Sequence, residues 1–123
     1  MQQLTNFSMN NIINKKSAFH YHWGNNCDCW NLVDTAALSV KQEYMPAGST
    51  EQLHFHNQAQ QFFFILKGTA SFYIDGENKI VTAQNGLLII PGQKHIIANE
   101  SLELLDFLVI SQPSTNNDRV EVK

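Results

Sequence analysis

From Trp30 onward, turn-forming residues break the sequence at intervals of about eight to twelve residues. They are Pro46-Ala47-Gly48, the loop over residues 57–60, Lys67-Gly68, Asp75-Gly76, Asn85-Gly86 and Pro91-Gly92. This punctuation constrains the fold more than any other feature. Between the breaks lie short segments rich in β-branched and aromatic residues: 36–45, 51–56, 62–66, 69–74, 79–82, 87–90, 95–98 and 104–111. Helical periodicity is weak throughout. Short strands at this spacing indicate an all-β sandwich or barrel. Segments 62–66 and 107–110 are apolar on both faces, so one face lines the interior and the other needs cover.

The length, 123 residues, suits one domain with one core. The expected division is a flexible N-terminal arm over 1–17, a single barrel over 18–113 and a polar C-terminal tail over 114–123. Hydrophobic residues make up 43% and charged residues 15% of the chain, a globular balance. The net charge is −3 with no block of Lys or Arg, which argues against a nucleic-acid partner. No apolar run reaches the roughly 18–20 residues of a membrane helix. The first twenty residues lack the apolar stretch of a secretory signal, so the expected compartment is the cytoplasm. Cys27 and Cys29 are separated by one residue, too close for an unstrained bridge, and are expected as free thiols.

The five histidines are His20, His22, His54, His56 and His95. On a strand, His54 and His56 share one face, about 6.5–7 Å apart along the chain. A hairpin loop over residues 57–60 would pair His56 with Gln61 and His54 with Phe63, placing the Gln61 amide beside His56. Imidazole nitrogens suit Zn, Fe, Mn, Ni or Cu. His95 joins the pair only if the sheet folds over on itself.

Two motifs here resemble those of the cupin family. Gly48, His54, His56, Gln61 and Gly68 follow the first cupin motif, with glutamine in place of its usual glutamate. Ile90-Pro91-Gly92-Gln93-Lys94-His95 through Asn99 is similar to the second. Trp23-Gly24, Trp30, Gln61–Gly68, Phe107–Pro113 and Asp118-Arg119 resemble a group of small single-domain cupins. The resemblance implies an antiparallel double-stranded β-helix, or jelly-roll barrel, of six to eight strands, assembling as a homodimer. It implies one divalent transition metal held by His54, His56, Gln61 and His95, and a small-molecule ligand or substrate. Gly48, Gly68 and Gly92 would serve turns.

Gln61 can offer an amide oxygen but no charge, and it cannot act as a general base. Two functions follow. One is a metal-dependent enzyme, oxygenase-, isomerase- or cyclase-like, with its catalytic residues unassigned. The other is a non-catalytic binding barrel in which metal is structural or absent. Tyr44, Met45 and Phe107 are candidates for the pocket wall. His20, His22, Cys27 and Cys29 fit no zinc module and are expected to form a surface or subunit-contact segment.

Overall fold

The computed structural model describes residues 10–123. Most of the expected arm, residues 1–9, therefore lies outside the described residues. Eleven strands follow: β1 (Phe19–Trp23), β2 (Cys27–Asp34), β3 (Ser39–Met45), β4 (His54–His56), β5 (Gln60–Lys67), β6 (Thr69–Ile74), β7 (Glu77–Thr82), β8 (Gly86–Ile89), β9 (His95–Ala98), β10 (Leu105–Gln112) and β11 (Arg119–Glu121). They form a six-stranded sheet in the order β1-β2-β3-β10-β5-β8 and a five-stranded sheet in the order β11-β4-β9-β6-β7. All pairings are antiparallel. This is the expected double-stranded β-helix, with eleven strands among the described residues in place of six to eight, built as two hydrogen-bonded sheets rather than one closed ladder.

The turn residues act as their chemistry predicts. Asp75 (φ 49°) and Gly76 (φ 85°) both take the left-handed conformation between β6 and β7, which a two-residue hairpin needs. Gly68 (φ 90°) turns β5 into β6, and a Cβ there would stand 2.7 Å from the Leu104 carbonyl oxygen. A side chain at position 68 would thus be strained and would also collide with backbone.

Side chains alternate along each strand, so the inner face of β10 reads Leu105, Phe107, Val109, Ser111. That of β5 runs the opposite way as Ile65, Phe63, Gln61, because Phe107 pairs with Ile65 and Ser111 with Gln61. One end of the sandwich is plugged by Met45, Ile65, Ala70, Phe72 and Leu105, all fully buried. Phe63 packs edge-on against Phe72 at 5.2 Å between centroids. Toward the other end the inner faces turn polar.

Three expectations need correction. Strand structure begins at Phe19, before Trp30: Gly24-Asn25-Asn26 is a turn joining β1 to β2. The 114–123 segment, expected as a polar tail, contributes β11 to the second sheet through the pairs Arg119–His56 and Glu121–His54. The expected 57–60 hairpin does not form, because β4 and β5 belong to different sheets. The segment between them crosses the sandwich instead. Its freed amides are taken by buried Asp118, which accepts from Gln58 N at 3.0 Å and Ala59 N at 2.9 Å. A crossing segment with unpaired amides would otherwise be costly.

Candidate metal centre and cavity

The two strands that carry the histidines meet directly: His54 on β4 lies opposite His95 on β9. His56 follows on the same face of β4. The ring centroids are 4.3 Å apart for His54–His95, 5.1 Å for His54–His56 and 5.9 Å for His56–His95. One nitrogen from each ring lies within 4.8 Å of the others, close to the span of two metal–nitrogen bonds of about 2.0–2.1 Å each. The fold thus gathers three imidazoles that are remote in sequence.

Their hydrogen bonds fix which nitrogens are free. His54 Nδ1–H donates to the Gln52 carbonyl at 2.7 Å, and His95 Nδ1–H donates to the Gln93 carbonyl at 2.9 Å. In both cases the carbonyl two residues upstream sets the tautomer and turns Nε2 inward, the usual arrangement behind a metal-ligating ring. His95 Nε2 and His56 Nδ1 are buried without a partner. Burial, reinforced by the neighbouring rings, lowers His54 to about 3 and His56 to about 4. Burial lowers His95 as well. The three rings are neutral at pH 7 and can donate lone pairs.

Gln61 stands on β5 across from Ser111. Its Nε2 donates to Ser111 Oγ at 3.1 Å, which leaves Oε1 buried and unpartnered. An unsatisfied buried polar atom costs roughly 1–3 kcal/mol. The unpartnered atoms are two ring nitrogens of the histidine cluster and one amide oxygen, donor types that suit a divalent transition ion.

Beside this cluster is a cavity of about 370 Å³. His54, His56 and Gln61 form part of its lining, and Phe63, Phe107, Val109 and Ile97 give it an apolar side. Phe107 lines it as expected. Met45 belongs instead to the core, and Tyr44 packs against Trp30, with centroids 4.8 Å apart.

Sequence reasoning gave the ionisable wall no role in the site. Tyr21, Trp23, Lys41, Glu43, Glu51 and Arg119 also line the cavity. The cross-strand row Tyr21–Cys29–Glu43 places side chains from β1, β2 and β3 on one face. Lys41 Nζ donates to Tyr21 Oη at 3.1 Å, and Cys29 Sγ–H points to Glu43 Oε2 at 3.8 Å. Burial raises Glu43 to about 7 against the pull of Lys41. It raises Glu51 to about 8, although Ile97 N donates to Oε1 at 3.0 Å and Arg119 Nη1 lies 3.9 Å from Oε2. The Cys29 thiol is pushed up to about 12, chiefly by burial, so it is inert as a nucleophile.

Period-2 patterning could have found Glu43, two residues from Lys41 and Met45 on β3. It could not have found Glu51. Three residues lie between Thr50 and His54, but only two lie between their partners Ala98 and His95. The extra residue resets the alternation and turns Glu51 inward with the histidines. Cys27 and Cys29 are free thiols as expected, but they are buried rather than part of a surface segment, and of these four residues only His20 and His22 are exposed.

Residues 40–111 match the cupin domain family. An uncharacterized protein of Methanocaldococcus jannaschii is 26% identical over 92 residues, covering 75% of this chain and 74% of that one. Among solved structures, a predicted oxalate decarboxylase from Thermotoga maritima superposes with a TM-score of 0.77 at 19% identity, over 85% of this chain and all of the other. The polyketide cyclase RemF from Streptomyces resistomycificus superposes with a TM-score of 0.79 at 14% identity, over 94% and 87% of the two chains. At these identities the two structures establish a shared fold. Among the described residues no helix is long and apolar enough to cross a membrane.

Proposed function

This chain belongs to the cupin domain family, and from that premise we propose that it is a metal-dependent enzyme acting on a small organic molecule, with oxygenase-, isomerase- or cyclase-type chemistry. The observation that carries the reading is the set of unpartnered buried atoms, His95 Nε2, His56 Nδ1 and Gln61 Oε1, beside a cavity holding two carboxyls that titrate near neutrality. His54, His56, His95 and Gln61 hold one divalent transition ion. When bound, such an ion supplies Lewis acidity or access to oxygen chemistry, undiminished by any carboxylate ligand.

The other residues take separate roles. Glu43 and Glu51, raised to about 7 and 8, lie where a group can both accept and return a proton at working pH. They replace the base that Gln61 cannot be. Lys41 and Arg119 place two cations on the lining and suit a substrate bearing a carboxylate or an enolate oxygen. Trp23 Nε1–H, a buried donor directed toward Glu43, offers a further contact to an acceptor on that substrate. Phe63, Phe107 and Val109 receive the apolar part and exclude water.

The test is metal analysis of untagged protein, before and after reconstitution with Zn, Fe, Mn, Ni and Cu, followed by turnover assays on small carboxylic and keto acids. Substitution of His54 and His95 is expected to lower the bound metal by about one equivalent. Equal metal content in the parent and the substituted protein after every reconstitution overturns the reading. The neutral amide of Gln61 favours a second reading, a barrel that binds its ligand without chemistry. Ligand-induced thermal stabilisation that persists in the His54→Ala, His95→Ala protein decides for that alternative.

A further inference from the structure

The outer face of the first sheet carries a second convergence of donors. Alternation along β1 sends Tyr21 and Trp23 into the cavity and His20 and His22 the opposite way. Across the ladder, His22 pairs with Asp28 on β2. His20 Nε2 lies 2.8 Å and His22 Nδ1 lies 3.1 Å from the same atom, Asp28 Oδ1. The two rings stand edge to face at 4.8 Å, and one donor atom from each of the three residues lies within 4.8 Å of the others.

Two features separate this group from a chance surface pairing. Both imidazoles are aimed at one carboxylate oxygen, although a single ring would satisfy it. The donors also sit on a paired two-stranded ribbon, so their backbones are already fixed relative to one another. Trp30, cross-strand from His20, packs against that ring at 5.0 Å and holds it in place.

We propose that His20, His22 and Asp28 form a second divalent transition-metal site, separate from the cavity. Two imidazoles and one carboxylate select borderline ions such as Zn²⁺, Ni²⁺ or Cu²⁺ over Mg²⁺ and Ca²⁺, which prefer all-oxygen shells. With only three protein donors and one strongly exposed ring (His22, 72%), the ion keeps open positions and binds reversibly.

Binding has a structural consequence. Among the described residues β1 is an edge strand whose ladder partner is β2. An ion shared by β1 and β2 staples that edge, and the opposite face of the same strand supplies Tyr21 and Trp23 to the cavity wall. Occupancy of the outer site therefore holds two lining residues in place.

The experiment titrates Ni²⁺ and Cu²⁺ into the untagged full chain, reading stoichiometry by calorimetry and tryptophan fluorescence. It compares wild type, His20→Ala with His22→Ala, Asp28→Asn, and His54→Ala with His95→Ala. The His20/His22 variant should bind one equivalent fewer than wild type, whatever the cavity holds. Asp28→Asn should bind at the outer site about tenfold or more weakly, as loss of a charged ligand implies. The cavity variant should keep one equivalent with quenching of Trp30, placed by its loss in Trp30→Phe, and amide exchange in β1 should slow when that ion binds. Equal stoichiometry in wild type and the His20/His22 variant overturns the proposal. If the cavity variant does not fold, the wild-type comparison still decides. Failure of the cavity reading alone appears differently, as one equivalent in wild type and none in the His20/His22 variant.

Discussion

On β4 and β9 three imidazoles are buried, and His56 Nδ1 and His95 Nε2 are left unpartnered, whereas on β1 to β3 the polar groups largely answer one another. Lys41 donates to Tyr21, and Cys29 points to Glu43. Trp23 Nε1 is the exception on that wall. Both groups face one cavity, yet the first is incomplete without a ligand and the second is nearly complete alone. The difference separates roles. Atoms that the fold leaves unsatisfied mark where something must bind, and atoms it pairs at shifted pKa mark where protons can move.

The strongest way to break this comparison is to remove a histidine. His95→Ala should weaken metal binding by about a hundredfold or more, since even loss of a supporting contact costs 10–100-fold. The metal-free variant should unfold at a denaturant concentration close to that of the metal-free parent. The side chain removed leaves a small void but also takes away an unsatisfied nitrogen, and the two effects oppose each other. Calorimetry and urea titration check both halves. A variant that binds metal normally shows that the convergence is structural.

Next in size is Gln61→Glu. A carboxylate at position 61 adds charge to the ligand set, and Ser111 Oγ–H can turn to donate to it. The expected gain in affinity is about tenfold to a hundredfold, or ~1.4–2.7 kcal/mol. The metal-free protein should lose stability, because it then buries an unpaired carboxyl. Unchanged affinity places Oε1 outside the coordination sphere.

Two motifs made the histidines and Gln61 legible in sequence, and the turn residues made the strands legible. The proton-handling wall was hidden for two different reasons. Glu51 faces inward only because of the extra residue between Thr50 and His54, and a bulge cannot be seen in an alternation pattern. Arg119 belongs to a strand of three residues in a polar stretch, too short to show any period. The misplaced hairpin between His56 and Gln61 has a related cause. Residues close in sequence usually pair, but Asp118, sixty residues away from Gln58, supplies the partner that lets the chain cross to the other sheet.

A smaller effect sharpens the contrast through pH. In metal-free protein, Glu43 and Glu51 have folded values of about 7 and 8, above the unfolded 4.5. The folded state therefore holds more protons, and their contribution, full below pH 4.5, is lost as pH rises toward 8. His54 and His56, lowered to about 3 and 4 from 6.5, act with the opposite sign. Their contribution is full above pH 6.5 and is lost as pH falls toward 4. Above pH 6.5 only the glutamates matter among these four. Glu43→Gln with Glu51→Gln should thus recover on the order of 2–2.5 kcal/mol of the stability lost between pH 6.5 and 8, measured by urea unfolding at each pH. A loss of the same size in the double variant places both carboxyls in their ionised form in the folded protein.

The smallest expected effect is on the wall that satisfies itself. Tyr21→Phe removes the hydroxyl that accepts from Lys41. A hydrogen bond from a charged group contributes about 1.5–3 kcal/mol net when held out of water, but the half-buried Lys41 can turn to water, so the cost should fall below that range. Metal affinity should not change, because Tyr21 is on β1 and the proposed ligands are on β4, β5 and β9. A measurable fall in metal affinity would mean that the two walls are energetically one unit, with the protonic side setting the field in which the ion sits. Unaltered affinity with a small drop in urea midpoint keeps them separable, so that residues around the ion and residues around the proton can be varied independently when the substrate is sought.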